Sequence, residues 1–193
     1  PAVLPVFAAR HPGIEISLVE DTSANLEQLT ASGAVDLALL TLPIEEPALE
    51  WIPYATEEIR LAVPESHPLA AAEDPVPVAL LADEPFIALK RGQGFRRITN
   101  EICEKAGFSP RIVFESGNIE TVISLVAAGM GVAFVPEMIA ASKKGRYVPM
   151  FRKLTDPAPS RTLVIAERRG RYFTKAAETF IDTLMEVSIR PGG

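Results

Sequence analysis

Short apolar runs recur along the chain, and turn-forming residues bound each of them. Runs of this kind predict β-strands. Most of them are unbroken rather than alternating, which is typical of strands that are covered on both faces, as in a parallel α/β sheet. The predicted strands span residues 14–19, 36–41, 59–63, 86–89, 111–114, 132–135 and 162–166.

Segments with apolar residues at helical spacing alternate with these strands. Thr22 and Ser23 are candidates to cap a helix at its start, and Gly33 and Gly107 suit the left-handed conformation that ends a helix. Strands and helices in alternation indicate a doubly wound α/β fold. The predicted helices span residues 2–10, 24–32, 95–106, 118–128 and 173–185.

Composition and charge narrow the function mainly by exclusion. The 193 residues are 48% hydrophobic, which is enough for one large core or two modest ones. A net charge of -6 makes the chain a poor direct binder of nucleic acid. No run approaches the roughly 20 apolar residues of a membrane span, and a single cysteine, Cys103, excludes an internal disulfide framework.

The first residues bear on location. Helical spacing begins directly after Pro1, so we expect a further segment to precede this chain. The start has neither the basic region nor the cleavage site of a signal peptide. These features favour a cytoplasmic protein with no membrane association, although a mature secreted chain would have the same kind of start.

Three turns that follow predicted strands are candidates for a ligand site. In open α/β sheets, ligands bind beyond the carboxyl ends of the strands, where helix N-termini present unpaired amides. The turns are residues 41–43, 90–96 and 116–118, and Asn118 can cap the helix after the third. Each turn alone has a structural explanation, but the three together favour a ligand site. The Gly92–Gly94 turn lacks a third spaced glycine and no phosphate loop is present, so nucleotide binding is not supported.

The remaining reactive side chains do not indicate catalysis. His11 and His67 each precede a proline in a turn, where a surface role is favoured over general-base catalysis. Neither has the spacing of metal ligands, and Cys103 is expected to be a small buried hydrophobe. We therefore expect no enzyme activity, metal or cofactor. A basic residue of the segment 90–97 beside a helix N-terminus would favour an anionic ligand.

Four motifs in order resemble a known family. They are FAARHPGIEISL (7–18), GAVDLAL (33–39), AVPESHPLA (62–70) and VAAGMGVAFVP (126–136). The motifs are individually loose, but their order and spacing resemble the effector-binding domain of LysR-type transcriptional regulators over almost the whole chain.

The resemblance implies an α/β fold of the two-lobed, type 2 periplasmic-binding-protein kind. Each lobe would be a mostly parallel sheet flanked by helices, and two crossover strands near residues 60–64 and 161–167 would join the lobes. Lobe I would be residues 1–60 plus 167–193, without its first strand, and lobe II would be residues 61–166. The family's N-terminal winged helix-turn-helix domain is absent, so the protein would bind DNA only through that missing domain.

The resemblance also implies a site and partners. A small effector, a carboxylate or another anion, would lie in the inter-lobe cleft. An antiparallel homodimer would pair residues 2–10 of one copy with residues 118–129 of the other, including Leu125. The expected ligand-binding residues, with Arg96 added for its charge, are Thr22, Thr41, Gln93, Gly94, Phe95, Arg96, Ser116, Gly117, Asn118, Phe134 and Pro136.

Two alternatives stay open from the sequence alone. A solute-binding protein of a transport system has the same fold and cleft, and upstream sequence would distinguish it from a regulator. An enzyme would need a poised nucleophile or base. Peroxide-sensing members of the family need two cysteines; Cys103 stands near one of those places and Gly94 occupies the other, so a disulfide switch is not expected.

Overall fold

One long strand, β2 (Leu49–Val63), runs through both halves of the molecule. In the computed structural model, which describes residues 3–143, 145, 147–170 and 174–189, β2 first pairs antiparallel with β9 (Ser160–Arg168). From Ile59 onward it pairs instead with β6 (Ala133–Pro136) and β7 (Met150–Arg152). The change of partner divides the fold into two lobes that share β2.

Lobe I is built around the first part of β2. It contains the helices α1 (Val3–Arg10), α2 (Ser23–Ser32) and α6 (Lys175–Ile189), and the strand β1 (Ala38–Thr41). Strand β1 pairs antiparallel with β9, and the apolar residues of this sheet pack against α2. Helices α1 and α6 pack together, with the Phe7 and Phe180 rings edge to face at 5.1 Å between centroids.

Lobe II contains the larger core. Its strands β4 (Pro85–Leu89) and β5 (Arg111–Ser116) are parallel, and a parallel bridge from Phe86 to Val132 links them to the β6 side. Helices α3 (Gly94–Lys105) and α4 (Ile119–Ala127) each pack on a separate buried cluster. The remaining elements are β3 (Val76–Pro77), β8 (Leu154–Thr155), the short helix α5 (Glu137–Ser142) and two single 3-10 turns.

The two-lobed α/β fold expected from the sequence is confirmed, but the mostly parallel sheet expected for lobe I is wrong in the described structure. Strands β1, β2 and β9 form antiparallel ladders, because β9 returns through the hinge in the direction opposite to β2. Residues 163–166, which the sequence assigned to lobe II, pair with β1 of lobe I. The crossing itself lies at Ile59, whose N–H donates to the Pro159 carbonyl at 2.9 Å.

Some predicted elements differ from the structure. The strand predicted at residues 14–19 is wrong: the segment forms no ladder in the described structure, and Leu18 and Val19 are exposed. An extended segment becomes a strand only when a neighbouring strand accepts its hydrogen bonds. The strand predicted at residues 59–63 is only the last third of β2, and α5 was not predicted. Pro1 and Phe173 lie outside the described residues.

The predicted caps of α2 are confirmed at Thr22 and Gly33, whereas Ser23, the other candidate, is the first residue of the helix. The Thr22 hydroxyl accepts a hydrogen bond from the Asn25 N–H, and Gly33 ends α2 with a φ of 80°. Both features follow from local chemistry, since a threonine oxygen satisfies a first-turn amide and glycine adopts positive φ without strain. Within the described parts of the chain, every helix is too short or too polar to span a bilayer.

Candidate functional site

The starts of α2 and α3 meet where the two lobes face each other. The Gly94 N–H donates to the Ser23 hydroxyl at 3.0 Å, a contact between lobe II and lobe I. A β-carbon added at Gly94 would lie 2.9 Å from the Ser23 oxygen and 3.9 Å from the Thr41 β-carbon. A side chain at position 94 would therefore displace the Ser23 hydroxyl, so glycine suits the close approach of the two lobes here.

Thr22 and Thr41 supply the lobe I side of this meeting point. A β-carbon on Gly92 would lie 3.6 Å from the Thr22 methyl group, so the glycine turn also faces Thr22. Thr41 is the last residue of β1 and is half-buried. The structure thus brings together Thr22, Thr41 and the Gly92–Gly94 turn, which includes Gln93.

The start of α4 lies beside the same turn within lobe II. The Asn118 side-chain oxygen accepts from the Glu120 N–H at 2.7 Å, and the Ser116 hydroxyl accepts from the Asn118 N–H at 3.1 Å. The Lys90 N–H donates to the Ser116 carbonyl at 2.9 Å, which ties this loop to the one before α3. Gly117 and Asn118 are exposed, and the hydrogen bonds of Ser116 and Asn118 described above all lie within lobe II.

Three of the expected ligand residues have apolar side chains, so they can form a wall of the site but cannot donate hydrogen bonds from those side chains. Phe95 and Phe134 are 6% and 5% exposed and belong to the core of lobe II. Pro136 is buried and lies opposite Ile59 in the β2–β6 ladder. These side chains can shape the floor of a cleft and position α3, but they offer no polar side-chain atom.

Arg96 faces the interior of lobe II. It is 6% exposed, and its guanidinium donates to the Leu89 carbonyl at 2.7 Å, to Glu115 Oε1 at 2.7 Å and to Asn100 Oδ1 at 3.1 Å. Its charge is already balanced by Glu115. The basic side chains that remain exposed near the glycine turn are Lys90 and Arg91.

Arg97, the next residue, belongs to the basic segment 90–97 but was not among the expected ligand residues, and it reaches across to lobe I. It donates to Glu45 and to the Pro43 carbonyl in the loop after β1. Successive helical residues are about 100° apart around the axis, so Arg96 and Arg97 face different surroundings. Between α2 and α3 lies an open groove of about 790 Å³, lined by both lobes and by five glutamates.

A second unpredicted feature is a buried ion pair at the hinge. Glu57 of β2 is 6% exposed at its side chain, and both Nε and Nη2 of Arg161 donate to its Oε1, at 2.8 Å and 2.6 Å. The Arg161 guanidinium lies 5.2 Å from the centre of the Phe95 ring. The two partners are 104 residues apart, so neither local spacing nor a motif signals the pair.

Cysteine and histidine take structural positions. Cys103 is fully buried, and burial raises the pKa of its thiol from 9.0 to about 12. The His11 ring packs on Phe7, and His67 Nδ1 accepts from the Leu69 N–H at 3.2 Å while its Nε2 lies 3.2 Å from Glu84. Among the residues that the structure describes, no group of metal-ligating side chains converges.

Known proteins resemble this chain in both sequence and architecture. The family described as LysR substrate binding domain matches residues 1–188. The HTH-type transcriptional regulator YcgK of Bacillus subtilis is 37% identical over 96% of this chain and 62% of its own length. A probable hydrogen peroxide-inducible genes activator of Mycobacterium avium is 32% identical over 89% of this chain and 56% of its own length.

A solved structure supports the same assignment. The regulatory domain of CcmR from Synechocystis PCC6803, in complex with 2-PG, has a TM-score of 0.89 at 26% identity, covering 97% of this chain and 89% of that one. The chain thus spans most of a regulatory domain but less than two thirds of YcgK and of the Mycobacterium avium activator. The relatives are transcriptional regulators rather than enzymes or transport proteins. The chain belongs to the LysR substrate-binding domain family.

Proposed function

We propose that this domain senses a small polar or anionic effector held between its two lobes, and that it does so within a cytoplasmic LysR-type regulator. The observation that carries the proposal is the contact of the α2 and α3 starts across the lobes, where Gly94 meets Ser23 and Thr41. The proposed contacts are Thr22, Thr41, Gln93, Gly94, Ser116, Gly117 and Asn118, with Phe95, Phe134 and Pro136 as the wall.

The chemistry of the helix starts favours an anion or a strongly polar group. A helix N-terminus carries unpaired N–H groups and a partial positive charge. Gln93 does not cap α3 with its side chain, the Gly94 N–H donates to Ser23 and the Arg96 N–H donates to the Gln93 carbonyl, so the Phe95 N–H is the amide of this turn that a ligand could accept from. Lys90 and Arg91 add positive charge nearby. Arg96, which the sequence suggested as an anion ligand, is not among the proposed contacts, because its guanidinium is held inside lobe II by Glu115.

The mechanism is a shift between lobe arrangements. An effector that contacts both lobes binds more tightly to the arrangement in which its partners converge, and it populates that arrangement at the expense of others. A tenfold preference corresponds to about 1.4 kcal/mol of differential binding. Because β2 and β9 are the two crossing strands, a change of lobe angle would be transmitted through the hinge at Ile59 to the DNA-reading domain of the complete protein.

The proposal includes a homodimer through α1 and α4. Leu125 on α4 is partly buried against the lobe II core, and the rest of its side chain is accessible to a partner. Val113 and Phe114 of the neighbouring strand β5, together with Met130 after α4, are 39% to 46% exposed. Such a run of exposed apolar side chains supports a protein interface beside α4.

A transport-type solute-binding protein would share only the fold with this chain. The relatives named above are regulators, and no observation on this chain favours transport over regulation. An enzyme is disfavoured because both histidines and the cysteine have structural partners or are buried.

Calorimetric titration tests the site. We would titrate 2-PG, benzoate and inorganic phosphate into the wild-type protein and into Asn118→Ala, with Ser109→Ala, an exposed serine distant from the turn, as the control. Removing the Asn118 side chain should weaken binding of the best probe about tenfold, the effect of losing one polar contact, and Ser109→Ala should bind normally. Equal affinity of all three proteins for every bound probe would show that the site is misplaced.

A further inference from the structure

The buried carboxylate of Glu57 connects the two crossing strands to lobe II. In the β2–β9 ladder Glu57 lies opposite Arg161. This pair is two residues before Ile59, where β2 changes partner. A carboxylate this deeply buried must be paired and hydrogen-bonded to remain charged. Arg161 supplies two donors to Oε1, and the Met138 N–H donates to Oε2 at 2.7 Å.

Each hydrogen-bond partner of Glu57 either belongs to the first turn of a lobe II helix or contacts it. Met138 lies in the first turn of α5, and Pro136, which precedes this helix, provides no side-chain cap, so the Glu57 carboxylate takes that role. The Arg161 guanidinium lies 5.2 Å above the Phe95 ring in the first turn of α3. Stacking of a guanidinium on an aromatic face fixes the ring relative to the arginine.

The ion pair therefore links the hinge to the walls of the proposed site. Phe95 is adjacent to Gly94, whose N–H meets Ser23 of lobe I, and Pro136 closes β6. A rotation of lobe II about the crossing strands has to move α3 and α5 relative to Arg161 and Glu57. The Arg161 guanidinium donates both hydrogen bonds to Glu57 in a single planar arrangement, and the Phe95 ring lies against the guanidinium in a single stacked arrangement.

We propose that Glu57 and Arg161 are positioning residues that set the lobe angle by fixing the starts of α3 and α5 to the crossing strands. Neither residue needs to touch the effector. The inference rests on the proposed function only for its role in signalling, because the lobe angle is a property that can be measured without any ligand.

Distances between spin labels on the two lobes test this inference. Labels at Ser32→Cys in lobe I and Ser109→Cys in lobe II, in a Cys103→Ala background, report the lobe angle through pulsed electron resonance. Arg161→Lys keeps the positive charge beside Glu57 but loses the planar fork and the stack on Phe95. Arg111→Lys, an exposed exchange of the same kind on β5, is the matched control.

We expect the parent and Arg111→Lys proteins to give one narrow distance distribution. In Arg161→Lys a second distance between the two labels should appear. The population ratio of the two lobe arrangements should differ at least about tenfold from that of the parent protein. A lower melting temperature with an unchanged distribution would show that the pair only stabilises the fold, and it would overturn the inference. If Arg161→Lys does not melt cooperatively, Phe95→Leu removes the stack while filling the core, and its distance distribution decides in the same way.

The same labelled proteins separate this inference from the proposed function. Absence of binding by 2-PG, benzoate and phosphate would count against the proposed site and leave the distance test unaffected. Normal probe binding together with an unchanged distribution in Arg161→Lys would overturn only the role of the ion pair.

Discussion

The buried thiol of Cys103 should be almost inert to oxidants and thiol reagents. Burial raises its pKa to about 12, compared with 9.0 for the unperturbed group. The thiolate is the reactive species, and three units of pKa lower its fraction near neutral pH about a thousandfold. This matters because a relative 32% identical to the chain is a probable hydrogen peroxide-inducible genes activator.

The assay compares rates of reaction with a disulfide reagent at pH 8 and with hydrogen peroxide, read by absorbance and by intact mass. The native protein should react about a thousandfold more slowly than the same protein unfolded in guanidinium chloride. Ser109→Cys in a Cys103→Ala background, with an exposed thiol, should react at the rate of the unfolded chain. A native rate within tenfold of the unfolded rate would refute the burial argument and reopen a redox role.

The raised pKa also predicts a dependence of stability on pH. The folded state holds the proton more tightly than the unfolded state, so this contribution is complete below pH 9 and is lost as the pH rises from 9 toward 12. Urea unfolding across this range should show a steeper loss of stability in the wild-type protein than in Cys103→Ala. Parallel curves for the two proteins would contradict the assignment.

Three further substitutions test other parts of the structure. Gly131→Ala places a β-carbon 2.4 Å from the Pro85 carbonyl oxygen, so urea unfolding should show a loss of stability of about 2 kcal/mol or more. Gly13→Ala, which adds a β-carbon in open space, should be nearly neutral. Equal stabilities of the two variants would contradict the close approach at Gly131. Arg96→Met should lower the free energy of unfolding by about 1–3 kcal/mol with unchanged affinity for the best probe; weaker binding without a loss of stability would return Arg96 to the effector site. Leu125→Asp should convert a dimer to a monomer in sedimentation equilibrium, and an unchanged dimer would place the interface elsewhere.

Local chemistry made several features predictable from the sequence. Thr22, Gly33 and Asn118 act through atoms a few residues away, and all three take the roles that their residue types favour. Unbroken apolar runs identified β4 and β6 because both are covered on two faces. The first part of β2 was missed because Pro53 and exposed side chains interrupt its apolar pattern.

Features that depend on distant partners were not predictable. The segment 14–19 has a strand-like composition but no strand accepts its hydrogen bonds in the described structure. Arg96 and Arg97 are adjacent in a basic segment, yet one pairs with Glu115 inside lobe II and the other crosses to Glu45 of lobe I. Only the three-dimensional arrangement distinguishes their roles.

The most direct test of the central claim is a titration followed by backbone amide resonances, with 2-PG, benzoate and inorganic phosphate as probes. Glycine amides are suited to this test because Gly94 and Gly117 are proposed contacts and Gly92 lies in the same turn as Gly94, whereas Gly13 and Gly170 lie outside the proposed site. The account predicts saturable shifts at Gly92, Gly94 and Gly117 with a single dissociation constant for at least one probe, and no shift at Gly13 or Gly170. Saturable shifts confined to Gly13 or Gly170, or none with any of the three probes, would contradict it.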